Sequence, residues 1–429
     1  MDSPRSGLQT QSRLNLLKVS VSLVALVGAA QGVEAQTVIT TNPAVLNNTV
    51  TIDAGAGNEA PGVVVIGEAG GTVLDIFNSG TIQGRGNAPA GASAAGDGIR
   101  LERERLDGSL MSPSTALFTG SITNTGIIAS EGANGTVGGF RAVNGVSFQG
   151  TLTNSGTISG VQNGVYFGNP TPAGGGDHTG GVVENLAGGV ISSDSRAFNI
   201  DGLGLTVNNA GSILGTGNQR NGTVYADGTG DNYTFNNLAG GIIDAGAGNE
   251  GSGFGVEIGG AADGANTFTL VNAGTIQGRG NASAATSGAA DGVRVGNVGN
   301  IGIAEVAISN TGLIASEGAN GTVGGVRFVN GISFAGTFDN SGTITGTQNG
   351  VYFGNPVEGE GADHSNGVFN NLAGGVISSD SRAFNIDGLG LTVNNAGSIL
   401  GTGNQRNGTV YADGTGDNYT FNNLAGGII

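Results

Sequence analysis

The chain has 429 residues, of which 37% are hydrophobic, with 87 Gly, 8 Pro and a formal net charge of −17. This length exceeds one ordinary compact core, and the apolar content is too high for a disordered glycine-rich polymer. The chain has no Cys and a single lysine, Lys18, which excludes thiol, Schiff-base and phosphate-loop chemistry in the rest of the chain. The acidic balance argues against nucleic acid and anionic lipid as partners.

The first 35 residues have the pattern of an export signal. Three cations, the last of them Lys18, precede an apolar run at 19–30 that is too short to span a bilayer as a stable helix. Small residues up to Ala35 predict cleavage after that position. We therefore expect a signal peptide at 1–35, an exported mature chain at 36–429, and no transmembrane helix in the mature chain.

A short pattern recurs twelve times along the mature chain. It consists of alternating apolar residues, Asn, one or two small residues, Gly and a β-branched or aliphatic pair, as at 152–158 (LTNSGTI) and 207–213 (VNNAGSI). The mean spacing of about 31 residues is typical of one structural unit per period. The recurring asparagines are Asn78, Asn124, Asn154, Asn185, Asn209, Asn237, Asn272, Asn310, Asn340, Asn371, Asn395 and Asn423.

Short β-branched or aromatic segments bounded by Gly, Asn and Asp, such as 164–167 (GVYF), indicate strands. No stretch of the mature chain keeps the 3.6-residue apolar period of a helix. Strands this short require stacking on neighbouring copies, so the sequence predicts an all-β solenoid of parallel coils. We expect Leu152, Ile158, Val165 and Phe167 to face its core.

We interpret the twelve asparagines as structural, because twelve equivalent positions describe a scaffold better than a binding site. Stacked in register, their amides are expected to bond to one another as a ladder along the rod. The Gly that follows each Asn is expected to take a bend that a Cβ would resist. No catalytic, cofactor or metal site is predicted.

A longer duplication overlies the short motif. Residues 185–243 and 371–429 are identical over 59 positions at an offset of 186. We therefore divide the mature chain into two long repeats, about 52–243 and 243–429, with the chain ending within a repeat.

The motif, the export signal, the scarcity of Lys and Cys and the Gly/Asn/Thr bias resemble the passenger region of bacterial autotransporters, over roughly 36–429. The resemblance implies a right-handed parallel β-helix with variable loop excursions, located at the cell surface, on the outer membrane or outside the cell, and often adhesive. In that family a C-terminal β-barrel exports the passenger, and no barrel is present in this chain. The expected partners are therefore the outer-membrane translocation machinery or a missing barrel, and a host or cell-surface ligand. A second export route is two-partner secretion, because residues 41–45 faintly resemble the secretion-domain motif of that family.

The only two histidines, His178 and His364, occupy equivalent positions in Gly- and Asp-rich segments of the two long repeats. No nucleophile motif accompanies them, so we interpret both as solvated loop residues. Asp177 and Asp363 beside them do not complete a metal-ligand pattern.

Parallel β-helices include polysaccharide lyases and hydrolases, so an enzyme of this class is the rival hypothesis. Asp194, Arg196 and Asp201 place two acids and an Arg close together in sequence, and the second repeat contains the same three residues. We favour a surface ion pair near a turn. Convergence of Asp194, Asp201 and Asp227 in one groove would instead support an enzyme. A third hypothesis is a truncated fragment without a function of its own.

Two further segments have distinctive sequences. Residues 227–235 (DGTGDNYTF) faintly resemble a calcium-binding nonapeptide, but we interpret them as a hairpin turn because the spacing departs from the pattern. Residues 100–107 (RLERERLD) form the one dense charge run and are expected to lie in a solvated loop excursion.

Overall fold

A computed structural model describes most of the chain from residue 33 onward. Its contacts group Gln31–Ile429 into one compact unit. The predicted signal peptide, apart from 33–34, lies outside the described residues, and no helix among the described residues is long and apolar enough to cross a membrane. The described residues are 33–34, 36–55, 60–68, 70–86, 96–103, 116–133, 136–168, 176–216, 222–226, 232–246, 253–259, 267–280, 290–296, 302–318, 322–354, 363–403, 408–412 and 418–429.

All regular elements of the described residues are β-strands. In chain order they are β1 (Val33–Glu34), β2 (Thr37–Ile39), β3 (Ala44–Asn48), β4 (Thr51–Asp53), β5 (Val63–Ile66), β6 (Thr72–Asn78), β7 (Thr81–Gly84), β8 (Ile99–Glu102), β9 (Ala116–Asn124), β10 (Ile127–Ser130), β11 (Gly138–Ala142), β12 (Val146–Phe148), β13 (Thr151–Asn154), β14 (Thr157–Gly160), β15 (Asn163–Phe167), β16 (Val182–Asn185), β17 (Val190–Ser193), β18 (Arg196–Ile200), β19 (Thr206–Asn209), β20 (Ser212–Gly215), β21 (Val224–Ala226), β22 (Asn232–Asn237), β23 (Ile242–Asp244), β24 (Val256–Ile258), β25 (Thr267–Asn272), β26 (Thr275–Gly278), β27 (Val293–Val295), β28 (Gly302–Asn310), β29 (Leu313–Ser316), β30 (Gly324–Phe328), β31 (Ile332–Asn340), β32 (Thr343–Gly346), β33 (Asn349–Phe353), β34 (Gly367–Asn371), β35 (Val376–Ser379), β36 (Arg382–Ile386), β37 (Thr392–Asn395), β38 (Ser398–Gly401), β39 (Val410–Ala412) and β40 (Thr420–Asn423).

The strands form three long parallel sheets. Sheet 1 has 13 strands in the order β1-β4-β7-β10-β14-β17-β20-β23-β26-β29-β32-β35-β38, and sheet 2 has 13 in the order β2-β5-β8-β11-β15-β18-β21-β24-β27-β30-β33-β36-β39. Sheet 3 has 14, in the order β3-β6-β9-β13-β16-β19-β22-β25-β28-β31-β34-β37-β40, with β12 paired to β9 off this path. The chain passes from sheet 3 to sheet 1 to sheet 2 in every coil, so the predicted all-β parallel β-helix is confirmed.

The core is a set of stacked side-chain columns. The four residues predicted to face it, Leu152, Ile158, Val165 and Phe167, are all fully buried. Sheet 1 contributes an unbroken isoleucine column, because its inward position is Ile in each of twelve successive coils. Stacking one residue type on itself gives every coil the same core width, which keeps the three sheets in register.

The motif glycines are required by a close approach between coils. At Gly156 an added Cβ would lie 2.1 Å from the carbonyl oxygen of Gly126, the motif Gly of the preceding coil, and Gly126 has the same relation to Gly80. None of these three has a positive φ, so the predicted unusual bend is wrong. Positive φ occurs instead in the longer NLAGG corners, for example at Gly188 with φ 85°.

We expect Gly156→Ala to lower the free energy of unfolding by about 1–3 kcal/mol, the usual cost of forcing an extra carbon into a packed interior. The matched control is Gly70→Ala, since an added Cβ at Gly70 meets nothing within 4 Å and φ there is not positive. Denaturant titration of both variants measures the difference. Equal midpoints would contradict the close-approach explanation.

Candidate functional site

The twelve motif asparagines end successive strands of sheet 3 and form one continuous ladder. In each link the Nδ2 of one Asn donates to the Oδ1 of the Asn in the next coil, at 2.7–2.8 Å. Each amide nitrogen also donates to backbone carbonyls at the same corner, as Asn154 does to Gly156 and Val190. The first eleven side chains are buried, so the ladder satisfies polar groups that water cannot reach.

A thirteenth member, Asn48, precedes the predicted twelve. Its Nδ2 donates to Asn78 Oδ1 at 2.7 Å, and its residue is 3% exposed. The sequence pattern missed it because Val50 occupies the position of the motif Gly. A search for Asn followed four residues later by Ile would have found it.

The corner that contains the ladder is the shortest of the three. Between strands of sheet 3 and sheet 1 the chain always makes the turn in two or four residues. The passage from sheet 1 to sheet 2 ranges from two residues (161–162) to 14 (85–98), and that from sheet 2 to sheet 3 from three (329–331) to 14 (168–181). All long and variable segments therefore lie along the two borders of sheet 2.

Sheet 2 is buried on both faces, unlike sheets 1 and 3. From β8 onward, its inward side chains belong to the core, and its outward side chains form a polar and aromatic column that is buried except at Tyr411. Register places these outward residues one above the next. They are Arg100, Arg141, Tyr166, Asn199, Tyr225, Glu257, Arg294, Arg327, Tyr352, Asn385 and Tyr411.

Buried charges in this column hold the bordering segments against the sheet. Asp97, which is fully buried, accepts hydrogen bonds from the Gly138 backbone N–H (2.9 Å) and from Arg141 Nη1 (3.3 Å). Burial raises the pKa of the Asp97 carboxyl, and the positive charges of Arg141 and Arg100 oppose that rise. Arg100 also forms an ion pair with Glu102.

The second long repeat builds a corresponding cluster. Asp291 accepts the Gly324 backbone N–H at 2.8 Å and lies 3.5 Å from Arg327 Nη1. Arg294 stacks over the Phe254 ring, 4.3 Å from its centroid, and burial lowers the pKa of this guanidinium. Glu257 lies beside Arg294 in the column, so each cluster contains two acids and two arginines.

The start of the charge run 100–107 differs from the sequence-based prediction. The prediction of a solvated loop is wrong for Arg100 and Glu102, which lie in β8 and are 7% and 8% exposed. Residues 104–107 lie outside the described residues. The outward face of β8 is covered, so its alternating charges mark a buried polar face and not a solvent-facing one.

The two histidines are core residues, and the solvated-loop interpretation is wrong. His178 is fully buried, and its Nδ1 accepts the Phe148 backbone N–H at 3.0 Å. Its ring meets the Phe167 ring edge-on, with centroids 5.1 Å apart. Burial lowers the pKa of His178 to about 4. His364 is equivalent, with Nδ1 3.0 Å from the Phe334 nitrogen and its pKa lowered by burial to about 4.

The turn around His178 explains why this side chain is buried. Its backbone N–H donates to Leu203 O at 2.6 Å, which holds the Gly-rich turn against the adjacent coil. The imidazole then fills space above Gly202, where an added Cβ would lie 2.3 Å from His178 Nε2. Local Gly and Asp content gave no sign of this packing.

The acids of the rival enzyme hypothesis do not form a convergent pair. Asp194 and Asp201 flank the five residues of β18, about 15 Å of extended chain, whereas the carboxyl pairs of glycoside hydrolases lie about 5–10 Å apart. Residues 227–231, which include Asp227, lie outside the described residues, and the hairpin-turn interpretation is wrong for 232–235, which belong to the parallel strand β22. Among the described residues there is no group of three or more His, Cys, Asp or Glu placed to hold a metal ion.

No protein-family model, curated protein or solved structure matches this chain. Its site must therefore be interpreted from its own geometry. That geometry combines a rigid ladder corner, two regular outward faces on sheets 1 and 3, and a covered sheet 2 with variable segments along both borders.

Proposed function

We propose that this chain is a surface-exposed passenger of the autotransporter type, a non-catalytic rod that holds variable segments outside the cell for contact with a host or cell-surface ligand. The observation that supports it most is the unequal length of the three corners. Variation confined to the borders of one sheet leaves the stacking of the rod unchanged and concentrates sequence differences where a partner makes contact.

The ladder and the isoleucine column support the mechanical part of this proposal. Hydrogen bonds between Asn side-chain amides, as well as backbone hydrogen bonds, connect each coil to the next, so the rod resists local opening. A chain without cysteine obtains its rigidity from these bonds and from core packing, not from disulfides.

The export signal supports the proposed location. Residues 1–35 are expected to direct the chain out of the cytosol, and the translocation machinery of the outer membrane, or a barrel outside this chain, would complete the passage. An acidic mature chain is also suited to remain soluble and apart from anionic cell envelopes.

Antibody labelling of intact bacterial cells that produce the chain tests the proposal. We expect surface labelling with residues 1–35 present and cytosolic retention in a matched variant that lacks residues 2–35. Antibody is the appropriate probe because amine-directed reagents find no lysine after residue 35. Cytosolic location of the complete chain would refute the proposal.

A further inference from the structure

The outward face of sheet 1 contains a column with a strict two-coil period. One outward position per strand is linked by register from coil to coil, and its last member is joined by an isolated bridge between Ser398 and Ile428. The column is Thr51, Thr81, Ile127, Thr157, Val190, Ser212, Ile242, Thr275, Leu313, Thr343, Val376, Ser398 and Ile428. From Thr81 onward, a hydroxyl residue and a large aliphatic residue alternate at every step.

Three of the six aliphatic members project into solvent, and the other three, Val190, Leu313 and Val376, are half-buried. Ile127, Ile242 and Ile428 are 45%, 40% and 57% exposed, whereas Ile128 and Ile243, the inward neighbours of the first two, are buried. At about 4.8 Å per coil, the projecting side chains stand about 9.6 Å apart, with a small Thr or Ser between them. The surface is therefore a row of aliphatic ridges separated by shallow gaps of one coil.

The outward columns of sheet 1 contain few ionisable residues in a chain whose net charge is −17, although Glu131 and Glu317 lie at the border of the sheet. The column has no ionisable member. In the second outward column of sheet 1, the acids are Asp53 and Asp244, and each accepts two hydrogen bonds from an arginine, Arg85 and Arg279 respectively. Two strongly acidic molecules repel each other, so a face of this kind is where two copies approach at the lowest electrostatic cost.

We infer that this face docks a second copy of the same chain, with the two rods antiparallel. A two-fold axis perpendicular to the rods, passing between the coils of Ile242 and Thr275, places Ile242 of each copy against Thr275 of the other. It also seats Ile127 against Ser398 and Val190 against Thr343, so every ridge enters a gap. In a parallel pair related by a two-fold axis along the rods, each ridge would face the same ridge of the other copy.

A second copy is the partner with a matching repeat. Both faces have the same coil spacing, so ridges and gaps stay aligned along the whole rod, whereas a surface of any other period loses register within a few coils. Twelve coils of about 4.8 Å and strands about 13 Å wide provide roughly 750 Å² per copy. Stable protein–protein interfaces bury about 800 Å² per partner.

Sedimentation of the purified chain tests the pairing. We expect a concentration-dependent dimer and at least tenfold weaker dimerisation in Ile242→Lys, which sets a charge at the centre of the interface. The matched control is Ile303→Lys on sheet 3, because Ile303 is similarly exposed at 47% but lies on another face. Circular dichroism checks that both variants keep the fold. A monomer at all concentrations, or equal loss in both variants, would overturn the inference.

Cross-linking tests the antiparallel order, and the absence of cysteine in the chain makes single-cysteine variants unambiguous. Facing sheets lie about 10 Å apart, so a bis-maleimide of that length joins opposed positions. We expect it to join Ile127→Cys to Ser398→Cys in a mixture of the two variants. Ile127→Cys alone should stay uncoupled, because its two copies would be about 43 Å apart; self-coupling would overturn the antiparallel order. Neither outcome bears on surface location, so this inference and the proposed function fail separately.

Discussion

Replacing Asn209 by alanine is expected to lower the free energy of unfolding by about 2–4 kcal/mol. Asn209 accepts the Asn185 amide at 2.8 Å and donates to Asn237 Oδ1 at 2.8 Å, and all three side chains are buried. The substitution removes the acceptor of the Asn185 amide N–H and the donor to the Asn237 amide oxygen, and each buried group that loses its partner costs about 1–3 kcal/mol. Denaturant titration of the variant and the parent measures the loss.

The adjacent residue provides the control. Asn208 is on the same strand but points outward, where it donates to Glu184 Oε1 and accepts from Asn236, both at 2.8 Å. Water replaces these bonds when Asn208→Ala removes them, so we expect a loss of at most about 1 kcal/mol. Similar losses for the two variants would show that burial of the ladder does not determine its contribution.

Acid is expected to destabilise the rod through His178 and His364. Burial holds the pKa of each at about 4, against 6.5 in an unfolded chain, and a proton on Nδ1 would break the bond from Phe148 or Phe334. Between pH 6.5 and 4 the unfolded chain therefore binds more protons than the folded one. The free energy of unfolding falls as the pH falls through that window, by about 3 kcal/mol per histidine at about 1.4 kcal/mol per pH unit.

The double variant His178→Asn, His364→Asn isolates this effect. Oδ1 of Asn, like Nδ1 of His, is two covalent bonds from Cβ. The Asn variant therefore retains an acceptor for the backbone N–H, and its side chain does not titrate between pH 4 and pH 7. Denaturant midpoints measured from pH 7 to pH 4 should fall less steeply in the variant. An unchanged slope would assign the acid sensitivity to carboxyl groups instead.

The stacked parts of the molecule were predictable because they repeat. The recurrence of Asn, Gly and Ile at two fixed spacings, one for the two-residue corners and one for the four-residue corners, is imposed by contacts between equivalent atoms of successive coils, so the sequence contains it twelve times. Asn48 was missed for a related reason. Its corner follows β3, the first described strand of sheet 3, and Val50 occupies the position that Gly has in the later coils.

The burial of His178 and Arg100 was not predictable, because it depends on segments distant in sequence. A Gly-rich turn indicates a loop, but only the three-dimensional path shows that the turn around His178 folds against Leu203. The alternating charges after Ile99 have the period of a strand with one wet face, yet the segment around Asp97 covers that face. The ridge-and-gap column likewise emerged only once register had fixed which residues stand above one another.

The hydrogen bonds of the side-chain amides all run in one direction along the rod, unlike the backbone hydrogen bonds between coils. Backbone bonds between coils run both ways, from Thr81 to Val50 and from Thr37 to Gly62, whereas every ladder amide donates toward the carboxyl end. When whole coils are inserted in tandem, a ladder amide donor therefore meets a ladder amide acceptor at both ends of the insert. An insert with an even number of coils also preserves the alternation of ridges and gaps on sheet 1. The 186-residue doubling, six coils from Asn185 to Asn371, meets both conditions, so genes of this design can lengthen the rod by simple duplication without a mismatched joint.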